Sequence, residues 1–326
     1  MLSRTLRVGS ALLLLCVALS QVPLHTAETQ QTPIERPQPP TLMVIFYLWY
    51  GYNETTGTFT GGNGTSHWND APERTFLGRP VSYYSSMDNA TLAWQLQTMQ
   101  RNGISALMVS WWGPSDYTNN ATLNLFKYIR ANGIVMKIAL MVEPYEGLNE
   151  SATMDYLYSS YYMPYSDLIF QWEGKPLLAW FRSTPLPSDP RFTMRVISNC
   201  ADCEHWHYVQ GIAKAFESSD KSASEIACYS SLRMSNDSVA TVTPRFDNYY
   251  EWQIGGRRDY MRYDVNYTHN MLAVELAWAY QQNATLIIIT SYNEYTEGSM
   301  IEPHYDPYGQ FINITLSVPE VLTQPL

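Results

Sequence analysis

Glu294 and Glu297 stand three residues apart in Ser291-Tyr-Asn-Glu-Tyr-Thr-Glu-Gly298, directly after the apolar run Thr285–Thr290. A tight turn or a first helical turn with that spacing places both carboxyl groups on one face. Close carboxylates resist ionising together, so one can hold a proton while the other stays charged. Cleavage of a glycosidic bond needs such a pair, one group protonating the leaving oxygen and the other serving the opposite half-reaction. A solvated acidic turn would have the same spacing, so the elements around the pair must decide between the two.

Those elements read as an alternation of strands and helices. Leu42–Trp49, Ala106–Trp111, Lys137–Val142 and Thr285–Thr290 are unbroken apolar runs of strand length. Asn89–Asn102, Leu123–Ala131, Ala152–Tyr161 and Met271–Gln282 have helical patterning, and Leu168–Glu173 and Lys175–Trp180 flank Gly174. Residues 181–240 give no clear assignment. Apolar strands each followed by a helix predict a parallel sheet covered on both faces. The expected architecture is α/β, a (β/α)8 TIM-type barrel, with a doubly wound open sheet as the alternative. The domain plan is a signal peptide over 1–20, a Pro-rich tether over 21–40 and a barrel over 41–326.

In such a barrel the chemistry sits just beyond the C-terminal ends of the strands. Those positions hold Tyr47, Trp49 and Tyr50 with the following His67-Trp68, then Trp111 and Trp112, then Glu143 and Tyr145, and finally Asn293, Glu294, Glu297 and Glu302. Glu143 suits a sugar-hydroxyl acceptor or a buried structural acid, and the aromatics suit a sugar-binding wall or plain wall packing. Adjacent residues on a strand point to opposite faces, so only one of Trp111 and Trp112 is expected to stack on a sugar. Asn293 is expected to position a glutamate or a hydroxyl, Glu302 to end the loop, and Arg245 and Asp247 to pair at the rim.

Composition narrows the partners. The 326 residues have 25 Tyr and 10 Trp and a formal net charge of −10. With no Lys/Arg-dense run, nucleic-acid binding and adhesion to anionic membranes are disfavoured. Arg4 and Arg7 precede the apolar stretch Val8–Leu19, and Ala18-Leu19-Ser20 suits a signal peptidase. That stretch is shorter than the roughly 20 residues that span a bilayer. Asn-x-Ser/Thr sequons follow at Asn53, Asn63, Asn89, Asn120, Asn149, Asn236, Asn266, Asn283 and Asn313, as in an exported glycoprotein. Cys200, Cys203 and Cys228 allow one disulfide and leave a thiol, while Cys200, Cys203, His205 and His207 also have zinc-like spacing. An oxidising exterior favours the disulfide, so neither a metal nor a cofactor is expected. No P-loop, dinucleotide fingerprint or G-x-S-x-G elbow occurs in the sequence.

The segment SYNEYTEGSMIEP resembles S-F-N-E-W-H-E-G-x-x-I-E of glycoside hydrolase family 99, the endo-α-mannosidases. FYLWYG (Phe46–Gly51), HW (His67-Trp68), SWWGP (Ser110–Pro114), EPY (Glu143–Tyr145) and TPRFDN (Thr243–Asn248) follow the family order. The resemblance implies a (β/α)8 barrel that cleaves α-mannosidic linkages within a chain, with retention. It implies that Glu294 deprotonates the sugar's own 2-hydroxyl, which attacks the anomeric carbon, and that Glu297 is the acid/base. The family's Trp-His between the glutamates is Tyr295-Thr296 here, and a His often found two residues before the EPY glutamate is Met141. Lost imidazoles leave the preferred sugar open. The expected activity is a secreted, retaining, endo-acting α-glycosidase on mannose-containing glycans. The alternatives are an endo-α-glucanase on the same scaffold and a catalytically silent glycan-binding surface module.

Overall fold

Strands that are apolar on both faces hold together only when both faces are covered. The computed structural model describes residues 38–60, 68, 78–181, 187–198, 206–207, 234–235, 237–247, 262–263 and 271–316. All lie within the unit Gln38–Leu326. The expectations for the signal peptide, most of the tether, His67, the three cysteines past residue 20 and His205 lie outside the described residues.

The main sheet contains β1 (Thr41–Tyr47), β2 (Ile104–Trp111), β3 (Lys137–Val142), β4 (Lys175–Phe181), β5 (Thr193–Ser198), β6 (Trp206–His207), β7 (Val239–Val242) and β8 (Leu286–Ile289). Their order is β6-β5-β4-β3-β2-β1-β8-β7, and every pair is parallel. First and last strands are therefore neighbours, which a doubly wound open sheet does not give. Helices α1 (Asn89–Arg101), α2 (Tyr117–Ala131) and α3 (Glu150–Leu157) follow β1, β2 and β3, and α4 (Met271–Gln281) precedes β8. Sequential parallel crossovers of one hand put every helix on the same face and curl the sheet. Cα atoms of the edge strands β6 and β7 approach within 8 Å. No ladder joins these edges among the described residues, which hold four α-helices, so the expected (β/α)8 ring is seen only in part.

Two apolar layers result. Val44, Phe46, Leu107, Val109, Leu140 and Ile287 pack outward with Leu92 and Leu96 of α1, Leu125 and Phe126 of α2 and Leu276 of α4. Met43, Ile45, Ala106, Met108, Ala139, Leu177 and Ile288 pack against one another inside the curl, with no helix residue among them. The second face covers itself by curling, as in the expected barrel and unlike the doubly wound alternative.

Local chemistry sets the ends. Asp88 caps α1 by accepting from Thr91 N at 2.7 Å, and Asp116 caps α2 by accepting from Thr118 N at 2.8 Å. Helix α2 therefore starts six residues before the predicted Leu123. The predicted helix Ala152–Tyr161 instead divides into α3 and a π turn over Tyr158–Tyr162. Gln171–Trp172 folds back on β4 through Glu173 (φ 53°) and Gly174 (φ 77°), a left-handed pair suited to a two-residue hairpin.

Candidate active site

The loop after β8 is built on the sheet itself. Tyr292 N donates to Ile45 O at 2.8 Å, which carries the β8–β1 pairing past the end of the strand. Asn293 then acts like one more strand partner through its side chain. Its Oδ1 accepts from Tyr47 N at 2.9 Å and its Nδ2 donates to Tyr47 O at 2.8 Å. Tyr50 Oη donates to Asn293 O at 2.6 Å. The loop closes where Ser291 N donates to Ser299 O and Glu302 N to Tyr292 O, both 2.8 Å. Asn293 thus ties the residue next to Glu294 to the end of β1.

Both glutamates are inside this loop, Glu294 at 3% and Glu297 at 5% exposure, so neither belongs to a solvated acidic turn. Glu294 Oε1 accepts from Thr296 N at 2.9 Å and from the Thr296 hydroxyl. Its own N donates to Ser291 Oγ at 2.8 Å. Two donors from one residue fix the carboxylate against its own turn. Thr296, which departs from the family pattern, is therefore in direct contact with Glu294. The charge of Glu294 also helps to push the Tyr50 hydroxyl well above its usual range, after burial itself. Glu297 O accepts from Asp247 N at 2.8 Å, tying the loop to the segment beyond β7.

Strand alternation selects the remaining wall. Tyr47 and Trp49 lie inward on β1 and its extension, their rings stacked at 4.4 Å and 25°. Trp112 packs against the same inner layer, 6.0 Å from Trp49. Its Nε1 donates to Ser110 Oγ at 3.0 Å, and Ser110 Oγ donates to Glu143 Oε1 at 2.9 Å. Glu143 is buried at the end of β3 and is oriented by this relay. Met141 is fully buried on the same inward face.

Trp111 belongs elsewhere. It points outward, donates from Nε1 to Asn119 Oδ1 of α2 at 3.0 Å and stacks on Tyr156. It therefore lies on the opposite face from Tyr47, Trp49 and Trp112, because its neighbour Trp112 holds the inward register position. Tyr145 also packs toward the outer layer, edge-on to Trp111, with its hydroxyl 2.6 Å from Thr153 Oγ1. A cavity of about 680 Å³ opens here, lined by Trp112, Gly113, Tyr145, Glu146, Asn149 and Tyr156. Gly113 has φ 110°, and a Cβ on it would lie 2.9 Å from the Tyr145 ring.

Tyr50 and Trp68 are fully buried with their rings 4.0 Å apart and tilted by 31°, and Trp68 Nε1 donates to Tyr84 O at 2.7 Å. They support the wall from behind. Tyr84 and Gln95 are contributors that motif reading misses, since one lies on an irregular segment and the other resembles an ordinary helix residue. Arg245 donates to Met300 O at 2.7 Å and meets His304 Nε2 at 3.0 Å. Burial and Arg245 lower His304 to about 3, so the ring is neutral, with Nδ1 donating to Glu302 O at 2.6 Å. Among the described residues no group of His, Cys, Asp and Glu is arranged to hold a metal ion.

With this geometry the comparisons with known proteins acquire meaning. No family model and no curated protein sequence matches the chain. Among solved structures, the GH99 endo-α-mannosidase of Bacteroides thetaiotaomicron in complex with bis-tris-propane aligns with TM-score 0.56 and 20% identity. The alignment covers 81% of this chain and 87% of that one. A second structure of that enzyme aligns with TM-score 0.54 and 18% identity over the same shares. In fold, the chain is similar to the GH99 endo-α-mannosidases. At these identities the likeness concerns the fold alone.

Proposed function

We propose that the protein is a secreted, retaining, endo-acting α-glycosidase that cleaves α-mannosidic linkages, with Glu294 and Glu297 as its catalytic pair. The observation that carries this reading is the burial of both carboxylates in one loop at the C-terminal end of β8. There an aromatic wall of Tyr47, Trp49 and Trp112 and the oriented carboxylate of Glu143 share the inward face. The fold likeness to endo-α-mannosidases supports the substrate class, and a complete (β/α)8 ring closed between β6 and β7 is part of the same proposal.

Glu294 takes the proton of the sugar's 2-hydroxyl, whose oxygen then attacks the anomeric carbon as the glycosidic bond breaks. Glu297 gives its proton to the departing oxygen. In the second half-reaction Glu297 takes a proton from water, which opens the epoxide-like intermediate at the anomeric carbon, and Glu294 returns the proton to the 2-oxygen. Two inversions give net retention. Thr296 donates through both its N and its hydroxyl to Glu294 and fixes the base against its own turn. Secretion follows from the signal-peptide pattern, and every described sequon asparagine, Asn53, Asn89, Asn120, Asn149, Asn283 and Asn313, is exposed. No helix among the described residues is long and apolar enough to cross a membrane.

The test is incubation with α-mannan and α-glucan panels, with products sized by mass spectrometry and their anomeric configuration read by NMR. The parent protein should release oligosaccharides from mannan. Glu294→Gln and Glu297→Gln should each lower the rate by about 10²–10⁴-fold with unchanged melting. Full activity in either variant overturns the assignment. Release from glucan alone selects the glucanase, and capture of a glycan without release selects a binding module.

A further inference from the structure

Glu302, at 1% exposure, is the third buried glutamate of the loop that carries the catalytic pair and stands at its foot. A retaining mechanism uses two carboxyl groups, so the third needs another explanation. Its Oε2 accepts from Tyr295 Oη at 2.9 Å and from Tyr84 Oη at 3.0 Å, and its Oε1 accepts from Gln95 Nε2 at 2.7 Å. Tyr295 is the residue after Glu294. Asn293, the residue before it, donates from Nδ2 to Tyr84 Oη at 3.1 Å. Both chain neighbours of Glu294 therefore lead to one carboxylate, Tyr295 directly and Asn293 through Tyr84. The Tyr84 hydroxyl accepts from Asn293 while it donates to Glu302, so each bond polarises the next.

We infer that Glu302 is a positioning residue that fixes the orientation of Glu294 by clamping Asn293 and Tyr295, and that helix α1 reaches the site through Gln95. The inference rests on the assignment of Glu294 as the base. The clamp works because three donors, Tyr295 Oη, Tyr84 Oη and Gln95 Nε2, converge on the two oxygens of one carboxyl group. A glutamine at 302 offers one accepting oxygen and an NH2 group, so at least one of the three donors faces another donor.

The experiment compares Glu302→Gln, Glu302→Asp and Tyr295→Phe with the parent protein, by steady-state kinetics on α-mannan oligosaccharides and by crystallography. Tyr295→Phe removes a single hydroxyl and keeps the test open should the charge-neutralised variant fold poorly. A base misplaced by about 1 Å loses up to about 10²-fold in rate. Glu302→Gln and Tyr295→Phe should lower kcat at least about tenfold, with KM within about threefold of the parent, which marks a loss confined to the transition state. Glu302→Asp should recover part of that loss. In the crystals the Glu294 carboxylate should move by more than about 0.5 Å, the tolerance of a positioned catalytic group. An unmoved carboxylate in both variants, or an unchanged kcat, overturns the inference. Should the parent cleave nothing, the glycosidase assignment fails, and the crystallographic displacement alone decides whether Glu302 positions Glu294.

Discussion

The two faces of the curled sheet are made by the same strands, yet they differ most at one end. On β2 and β3 the outward residues remain apolar to the C-terminal limit and end in Trp111 and Val142, within the layer that packs on the helices. Inward residues are equally apolar at mid-strand, Met43, Met108 and Ala139, but beyond them lie Tyr47 with Trp49, Ser110 with Trp112, and Glu143. The residues proposed for chemistry thus gather on one face and at one end, while the other face holds the structure together. A two-residue alternation is enough to separate these duties.

The strongest challenge to that division is Trp111→Ala. The side chain is fully buried outward and bonded to Asn119, so its loss should cost about 3–5 kcal/mol of stability. Glycosidase activity per folded molecule should be unchanged; a selective fall in kcat without a fall in melting temperature would break the comparison. Next comes Glu302, which burial raises to about 7, while Gln95, Tyr295 and Tyr84 pull it down. The unfolded chain releases this proton near the ordinary value, so folding takes one up between about pH 4.5 and 7. Stability from this group is full below the unfolded value and falls by about 3 kcal/mol as pH rises to 7. Tyr84, Tyr292 and Tyr295 remain protonated across this window and His304 remains neutral. Denaturant melts of the parent and Glu302→Gln should therefore converge or cross in favour of the variant as pH rises through it. Parallel curves would contradict the burial.

Smaller effects sharpen the boundary. Gly113→Ala combines φ 110° with a Cβ 2.9 Å from Tyr145, and should destabilise by about 1–3 kcal/mol, measured as a lower denaturant midpoint. Trp112→Ala, on the inward face one residue away, should leave the midpoint nearly unchanged. It should raise KM about three- to tenfold, the loss of about 0.5–1.5 kcal/mol of aromatic contact. Equal stability losses at Trp111 and Trp112 would erase the distinction.

Much of this arrangement is legible in the sequence, for identifiable reasons. Lys137–Val142 is observed as predicted, since an unbroken apolar run between polar ends admits few alternatives. The loop of Glu294 and Glu297 was legible from the spacing of its acids. Which of Trp111 and Trp112 faces inward was not, because β2 is apolar on both sides and its alternation shows no contrast. Helix α2 begins unseen because Asp116 caps a polar first turn, Tyr117-Thr118-Asn119-Asn120, of weak helix formers. β5 and β7 were hidden for other reasons. Arg195 interrupts the apolar run of β5 and pairs with Asp237 at 3.0 Å and Glu173 at 2.9 Å, and β7 is only the four residues Val239–Val242. Glu302 passed for a loop terminus because three partners distant in sequence define its role.

The Asn293 amide that pairs with the Tyr47 backbone joins residues separated by 246 positions. During synthesis the first strand leaves the ribosome long before its last partner exists, and it must wait with an apolar edge uncovered. Long-range closures of this kind fold slowly and leave partly made chains prone to stick to one another. The same amide pairing therefore acts as a checkpoint: the glutamates acquire their setting only after the last strand of the curled sheet has been delivered and paired with the first.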